Sequence, residues 1–158
     1  MTIPKLIATS LGLGNLPVAP GTFGALGGLV LSLTLMSSGV SHPTFTTIHI
    51  ALIILSYAGG VWSCQKLSAA WGDDPSRVVI DETMGFWISI LFLPLHLYIL
   101  IAGFVLFRFF DIVKPLGIKK IDGIKSPHAV MLDDALAGIY TNVTLHVLLY
   151  FIHKSPLI

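Results

Sequence analysis

The stretch DETMGFWISILFLPLHLYILIAGFVLFRFFDIVKP, residues 81–115, decides the fold. Residues 84–107 carry no formal charge, and one proline, Pro94, interrupts them. As a single straight helix this run would extend about 36 Å at 1.5 Å per residue, enough to cross a bilayer. As two helices it gives a short segment, 83–93, and one of ordinary length, 95–113. Charge placement chooses between them. Of the nine Lys and Arg residues, seven (Lys66, Arg77, Arg108, Lys114, Lys119, Lys120, Lys125) fall in two loops, 65–82 and 108–132. The positive-inside rule puts both loops on the cytoplasmic side. That requires an even number of crossings between them, or a re-entrant excursion. The stretch therefore reads as a hairpin broken near Pro94.

Working outward, no Lys, Arg, Asp or Glu occurs between Lys5 and Lys66. Gly24 to Val40 and Phe45 to Cys64 are apolar runs, each near the roughly 20 residues that span hydrocarbon. The uncharged turn SSGVSHP, residues 37–43, joins them. Val130 to His153 is the last apolar helix. The expected fold is an all-α, polytopic membrane helix bundle of about five segments, with 83–93 short or re-entrant. Residues 1–158 form a single domain, with the N-terminus inside and the C-terminus outside. The N-terminal stretch, broken by Gly and Pro, does not read as a cleavable signal peptide.

Composition agrees. Of 158 residues, 54% are hydrophobic and 11% charged, and the mean hydropathy is +0.88. Soluble domains carry about 25% charge. A chain this short cannot bury so much apolar surface in one water-soluble core. The net charge of +1 and the lack of a long basic run exclude nucleic-acid binding. The one cysteine, Cys64, excludes an internal disulfide.

All eight carboxylates lie between residues 73 and 134. Four form adjacent pairs, Asp81-Glu82 and Asp133-Asp134, and each pair opens an apolar run. Carboxylates are costly near lipid, so pairs kept there point to use. Paired carboxylates at a water–lipid boundary suit a hard divalent cation such as Mg²⁺. The bland alternative is acids complementing a helix dipole. Gly85 and Gly138, shortly after the pairs, permit close helix approach and would let the pairs converge.

Arg108, Asp111 and Lys114 are spaced three apart, so on a helix each can pair with the next. This is either an interfacial ion-pair ladder or a phosphate clamp in which Asp111 orients the cations or binds metal. The Gly/Pro-rich entry to the first long helix places Thr22 as an N-cap that could touch phosphate. Asp73-Asp74-Pro75-Ser76 has turn chemistry. Val78-Val79-Ile80 reads as a helical turn or a strand-like piece. His42, His49, His96, His146 and His153 show no ligand spacing, whereas His128 lies just before Asp133-Asp134. No Cys-x5-Arg nucleophile loop and no Asp-x-Asp phospho-aspartate motif is present.

Four motifs occur in order along nearly the whole chain: LPVAPGTFG (16–24), DDPSRVVIDETMG (73–85), FRFFDIVKPLGI (107–118) and MLDDALAG (131–138). Together they resemble the phosphatidylglycerophosphatase A family. The resemblance implies a Mg²⁺-dependent lipid phosphatase of the bacterial inner membrane, with its site facing the cytoplasm. It implies hydrolysis of phosphatidylglycerophosphate to phosphatidylglycerol. The family's acidic residues fall on Asp81, Glu82, Asp133 and Asp134, the expected metal ligands, with one doubling as base. Its FR-x-FD-x-x-KP segment falls on Arg108, Asp111, Lys114 and Pro115. Asp81, Glu82, Asp111, Asp133 and Asp134 are thus the expected catalytic set, with Arg108, Lys114 and Thr22 binding phosphate. Residues 125–130, KSPHAV, depart from the Gly-rich loop that the family carries before the final acidic pair. The missing phospho-aspartate motif favours attack by water over an aspartyl-phosphate. The alternative reading is a small divalent-cation transporter or channel subunit, which needs its acids deep in the spans.

Overall fold

Prolines start three long helices, because a first-turn residue needs no backbone N–H partner. In the computed structural model, which describes residues 2–72, 75–115 and 117–154, they are Pro20, Pro43 and Pro127. The element order is α1 (Ile3–Ala8), a 3₁₀ turn (Leu13–Asn15), α2 (Pro20–Ser37), α3 (His42–Trp71), α4 (Ile80–Ser89), α5 (Leu97–Val113), α6 (Ile118–Asp122) and α7 (Pro127–Lys154). No strand occurs among the described residues. The all-α expectation holds. Three helices, α2, α3 and α7, are long and apolar enough to cross a membrane. With large apolar side chains such as Ile54, Val105 and Phe151 exposed on helix surfaces, the bundle is built for lipid.

The chain breaks where Pro94 predicts. Helix α4 has only ten residues, about 15 Å, half of a typical hydrocarbon core. A helix ending inside a bundle leaves its last carbonyls without partners. Here the Asn142 side-chain amide of α7 donates to the carbonyls of Ile88, Ser89 and Leu91 at 3.2, 3.3 and 2.8 Å. His42 of α3 bonds the Leu93 carbonyl at 2.7 Å. The elbow between α4 and α5 is therefore held by side chains from two other helices.

Helix α4 is also the hub. It packs on α7, α2, α3 and α5. Thr83 Oγ1 donates to the Gly24 carbonyl at 2.9 Å, and Trp87 Nε1 to the Gly28 carbonyl at 3.1 Å, fixing α2 against it. The crossing with α7 is closer still. A Cβ on Gly138 would collide with the Gly85 carbonyl oxygen. A Cβ on Gly85 would stand 2.7 Å from the Asp134 carbonyl oxygen and 2.6 Å from the Phe107 ring. Only backbone fits between these two helices, as the glycine spacing implied.

Several boundaries differ from expectation. Helix α3 runs past Cys64 to Trp71, because Leu67 of the polar stretch still reaches the core at 6% exposure. Val78 and Val79 form no strand; they lead into α4, with the Val79 N–H bonding the Ala8 carbonyl at 2.8 Å. Thr22 is not an N-cap. It is the third residue of α2, and the cap position belongs to Ala19 at φ 47°, because Pro20 already opens the helix. The acid pair of α7 does not open its helix either. Pro127 starts that helix, so Asp133 and Asp134 stand two turns inside, and no acid occupies the first turn. Helix-dipole complementation is open to Asp81 and Glu82 but not to them. Of the turn expected at Asp73-Asp74-Pro75-Ser76, the first two residues lie outside the described residues.

Gly138→Val is expected to force α7 off α4 and cost about 1–3 kcal/mol. The check is thermal unfolding in detergent; a melting temperature equal to the wild type's would show that the helices do not touch there.

Candidate active site

The α4–α7 crossing brings the two acid pairs to one place. Carboxylate oxygens of Asp81, Glu82 and Asp134 all lie within 4.8 Å of one another. Asp111, near the C-terminal end of α5, lines the same cavity as Asp134. Asp81, Asp111, Asp133 and Asp134 are all buried. The group lines a cavity of about 340 Å³ together with Arg108, Lys114 and Asp133. Pro75 and Ser76 from one Lys/Arg-rich loop and Asp122, Ile124 and Lys125 from the other form its rim, so both loops share one face.

The cations are held by acids. Arg108 Nη1 forms an ion pair with Asp111 Oδ2, as the three-residue spacing allowed. Lys114 does not pair with Asp111. Its ammonium bridges Asp122 of α6 and Asp133 of α7, the latter at 2.7 Å. Burial alone would lower the Lys114 pKa, but its hydrogen bonds to Asp122 and Asp133 outweigh that and raise it. A raised lysine pKa means full charge at and below the unfolded value, so Lys114 is cationic throughout the neutral range. Lys114 also adopts a left-handed backbone, φ 48°, as the residue that ends α5 before Pro115. A side chain there costs energy that glycine would not, and such strain concentrates at working sites.

Two side-chain atoms at the cavity, Glu82 Oε2 and Arg108 Nε, are buried with no partner among the described residues. Beside them, α2 approaches end-on. A Cβ on Gly21 would collide with Glu82 Oε1 and stand 3.4 Å from Arg108 Nη1. Glycine at 21 thus leaves room for the Glu82–Arg108 edge of the cavity.

These features test whether a metal ion fits. Buried carboxylates this close repel unless positive charge lies among them. Asp81, Glu82 and Asp134 offer only oxygen, and Glu82 Oε2 has no partner among the described residues. An all-oxygen donor set with a spare acceptor suits a hard divalent cation. The triad could therefore hold a metal ion.

The four expected metal ligands do not stay together. Asp81, Glu82 and Asp134 converge, whereas Asp133 turns to Lys114. Arg108, Asp111 and Lys114 reach the same cavity. Thr22 does not line it, although its neighbours Ala19, Pro20 and Gly21 do. His128 does not line it either and bonds Tyr57 Oη at 2.8 Å through Nδ1. The sequence reading missed Gly21, Asp122 and Lys125. For Asp122 a signal existed, since it is eight residues from Lys114 across a Pro-Leu-Gly break. For Gly21 the signal reached only as far as the LPVAPGTFG segment, because its own importance lies in a contact with residue 82.

An acid cluster, an arginine and a lysine around one pocket in an all-helical apolar bundle define a class: membrane hydrolases acting on phosphate esters. The comparisons narrow this. The phosphatidylglycerophosphatase A family model matches residues 6–149. The Haemophilus influenzae phosphatidylglycerophosphatase A is 35% identical, covering 92% of this chain and 88% of its own. The Escherichia coli K12 phosphatidylglycerophosphatase A is 31% identical, covering 96% and 85%. A Bacteroides thetaiotaomicron protein, described provisionally as a phosphatidylinositol-3-phosphatase, is 42% identical over 92% of both chains. No solved structure matches. The chain belongs to the phosphatidylglycerophosphatase A family, and it is a membrane protein with lipid phosphatase activity.

Glu82→Gln removes one crowded charge without changing shape. In EDTA it is expected to be about 1 kcal/mol more stable than the wild type, as relief of active-site repulsion often is. If the triad holds a divalent cation, added Mg²⁺ should raise the melting temperature of the wild type more than that of the variant. An equal Mg²⁺-dependent rise in both proteins would remove Glu82 from the cation site.

Proposed function

We propose that this protein removes the terminal phosphate of phosphatidylglycerophosphate, giving phosphatidylglycerol and inorganic phosphate. We place the reaction at the cytoplasmic face of the inner membrane, with Mg²⁺ as the metal. The observation that carries the reading is the convergence of Asp81, Glu82 and Asp134 within 4.8 Å beside Arg108, in one cavity. The charge count supports it. Among the described residues six carboxylates and three cations line the cavity, so a phosphate dianion needs further positive charge before it can enter.

In this reading Asp81, Glu82 and Asp134 hold Mg²⁺. When bound, Mg²⁺ supplies charge neutralisation and polarisation of the phosphate. Arg108, with a buried Nε that lacks a partner among the described residues, meets the phosphate oxygens and opposes the charge that develops on them. Asp111 holds the guanidinium plane in place. Lys114 adds a second positive charge, oriented by Asp133 and Asp122. A carboxylate of the cluster takes a proton from the attacking water as its oxygen bonds phosphorus. The bond from phosphorus to the terminal glycerol oxygen breaks, and the proton passes to that oxygen. The two basic loops at the cavity rim support a cytoplasmic orientation. Acids near helix ends beside Arg and Lys suit a headgroup at the interface better than an ion path through the bilayer.

The test is phosphate release from phosphatidylglycerophosphate by purified protein in Mg²⁺ and in EDTA, with phosphatidylinositol 3-phosphate as the second lipid. Activity in Mg²⁺, with loss in EDTA, is expected. Arg108→Ala should lower kcat about 10²–10³-fold, the usual loss for one charge-stabilising donor. Unchanged release in EDTA would sink the metal, and a preference for the inositol lipid would replace the substrate.

A further inference from the structure

Three cations line the cavity, and two of them are already paired. Arg108 is held by Asp111, and Lys114 by Asp122 and Asp133. The third, Lys125, stands at the rim on the loop between α6 and α7. Among the described residues no carboxylate lies within ion-pair distance of its ammonium. Asp81 and Asp134 are buried whereas Lys125 is exposed, so the acids stand on the inner side of the cavity and Lys125 on its solvent side.

A rim cation with no acidic partner among the described residues has a charge to offer an incoming anion. Its neighbour Ile124 lines the same rim and is 56% exposed. An exposed isoleucine beside a lysine suits the depth at which acyl chains give way to headgroups. The anionic group at that depth, in a lipid whose terminal phosphate is in the cavity, is its inner phosphodiester. We infer that Lys125 is a specificity residue that binds the bridging phosphodiester of the lipid substrate. The inference rests on the proposed lipid phosphatase reading. It holds for any headgroup with a phosphodiester to diacylglycerol and a phosphomonoester beyond it, which includes glycerol and inositol forms. Lys125 thus separates such lipids from phosphomonoesters that lack the second phosphate. It also gives a role to the start of the stretch KSPHAV, residues 125–130, which leads into α7 and which the acid cluster leaves unexplained.

The experiment compares the wild type, Lys125→Gln and Lys125→Arg in detergent micelles. It measures KM and kcat for phosphatidylglycerophosphate, and Ki for inorganic phosphate. Lys125→Gln should raise KM about tenfold, the loss of one charge-assisted hydrogen bond. Its kcat and its Ki for inorganic phosphate should stay within about twofold, because inorganic phosphate occupies only the inner position. Lys125→Arg should restore KM. An unchanged KM in Lys125→Gln overturns the inference, and so does a Ki that rises along with KM. If the wild type hydrolyses only phosphatidylinositol 3-phosphate, the substrate reading fails and the same comparison on that lipid decides the role of Lys125. A wild type inert towards both lipids overturns the phosphatase reading itself, and this inference with it.

Discussion

The backbone-on-backbone crossing of α4 and α7 at Gly85 and Gly138 is the constraint on which the site depends. Helices with ordinary side chains at their contact pack 8–10 Å apart. With glycine on both sides they come nearer, and carboxylates one turn away on each helix converge. Asp81 and Glu82 on α4 and Asp134 on α7 come within 4.8 Å of one another because of this contact. Phe107 fills the remaining side of the crossing, which ties α5 and its Arg108–Asp111 pair to the same point.

Such a cluster opposes folding as much as it serves function. Burying several carboxylates together costs stability unless cations answer them. The protein answers unevenly. Asp133 receives Lys114 and Asp111 receives Arg108, whereas Asp81, Glu82 and Asp134 receive no lysine or arginine ion pair among the described residues. That division separates the acids that hold the protein's own cations from those left for something else. It also explains why Asp133 and Asp134, adjacent in sequence, face different partners. Neighbouring positions on a helix point about 100° apart, so one can meet Lys114 while the other meets the triad.

Much of this was readable beforehand, and the parts that were not share a cause. The helices announce themselves through charge-free runs, and the break near Pro94 through the proline and the distribution of Lys and Arg. The acid pairs and the two glycines are visible as local patterns in a chain with few charges. What escaped is long-range. Gly21 matters because of Glu82, and Lys114 chooses Asp122 and Asp133 over the nearer Asp111 because α5 ends at Lys114 in a left-handed turn. The start of α7 was misplaced because a run of hydropathy shows where lipid begins, not where hydrogen bonding begins. The first residues of that helix, Pro127, His128 and Ala129, precede the apolar stretch.

The break between α4 and α5 brings the parts of the site together. One unbroken helix over this stretch would leave the start of α4 and the end of α5 at opposite ends of a long rod. The chain turns back after ten residues instead, so the start of α4 and the end of α5 meet at one face with Asp81, Glu82, Arg108 and Asp111. The cost of turning back is a set of helix carbonyls inside an apolar bundle. Asn142 and His42 meet that cost from α7 and α3. Asn142 lies two helical turns beyond Asp134 on the same helix. Helix α7 therefore supplies both the carboxylate that completes the cluster at one end of α4 and the amide that terminates α4 at the other. A shift of α7 along its axis would break both at once, so the depth of the acid cluster is set by the elbow.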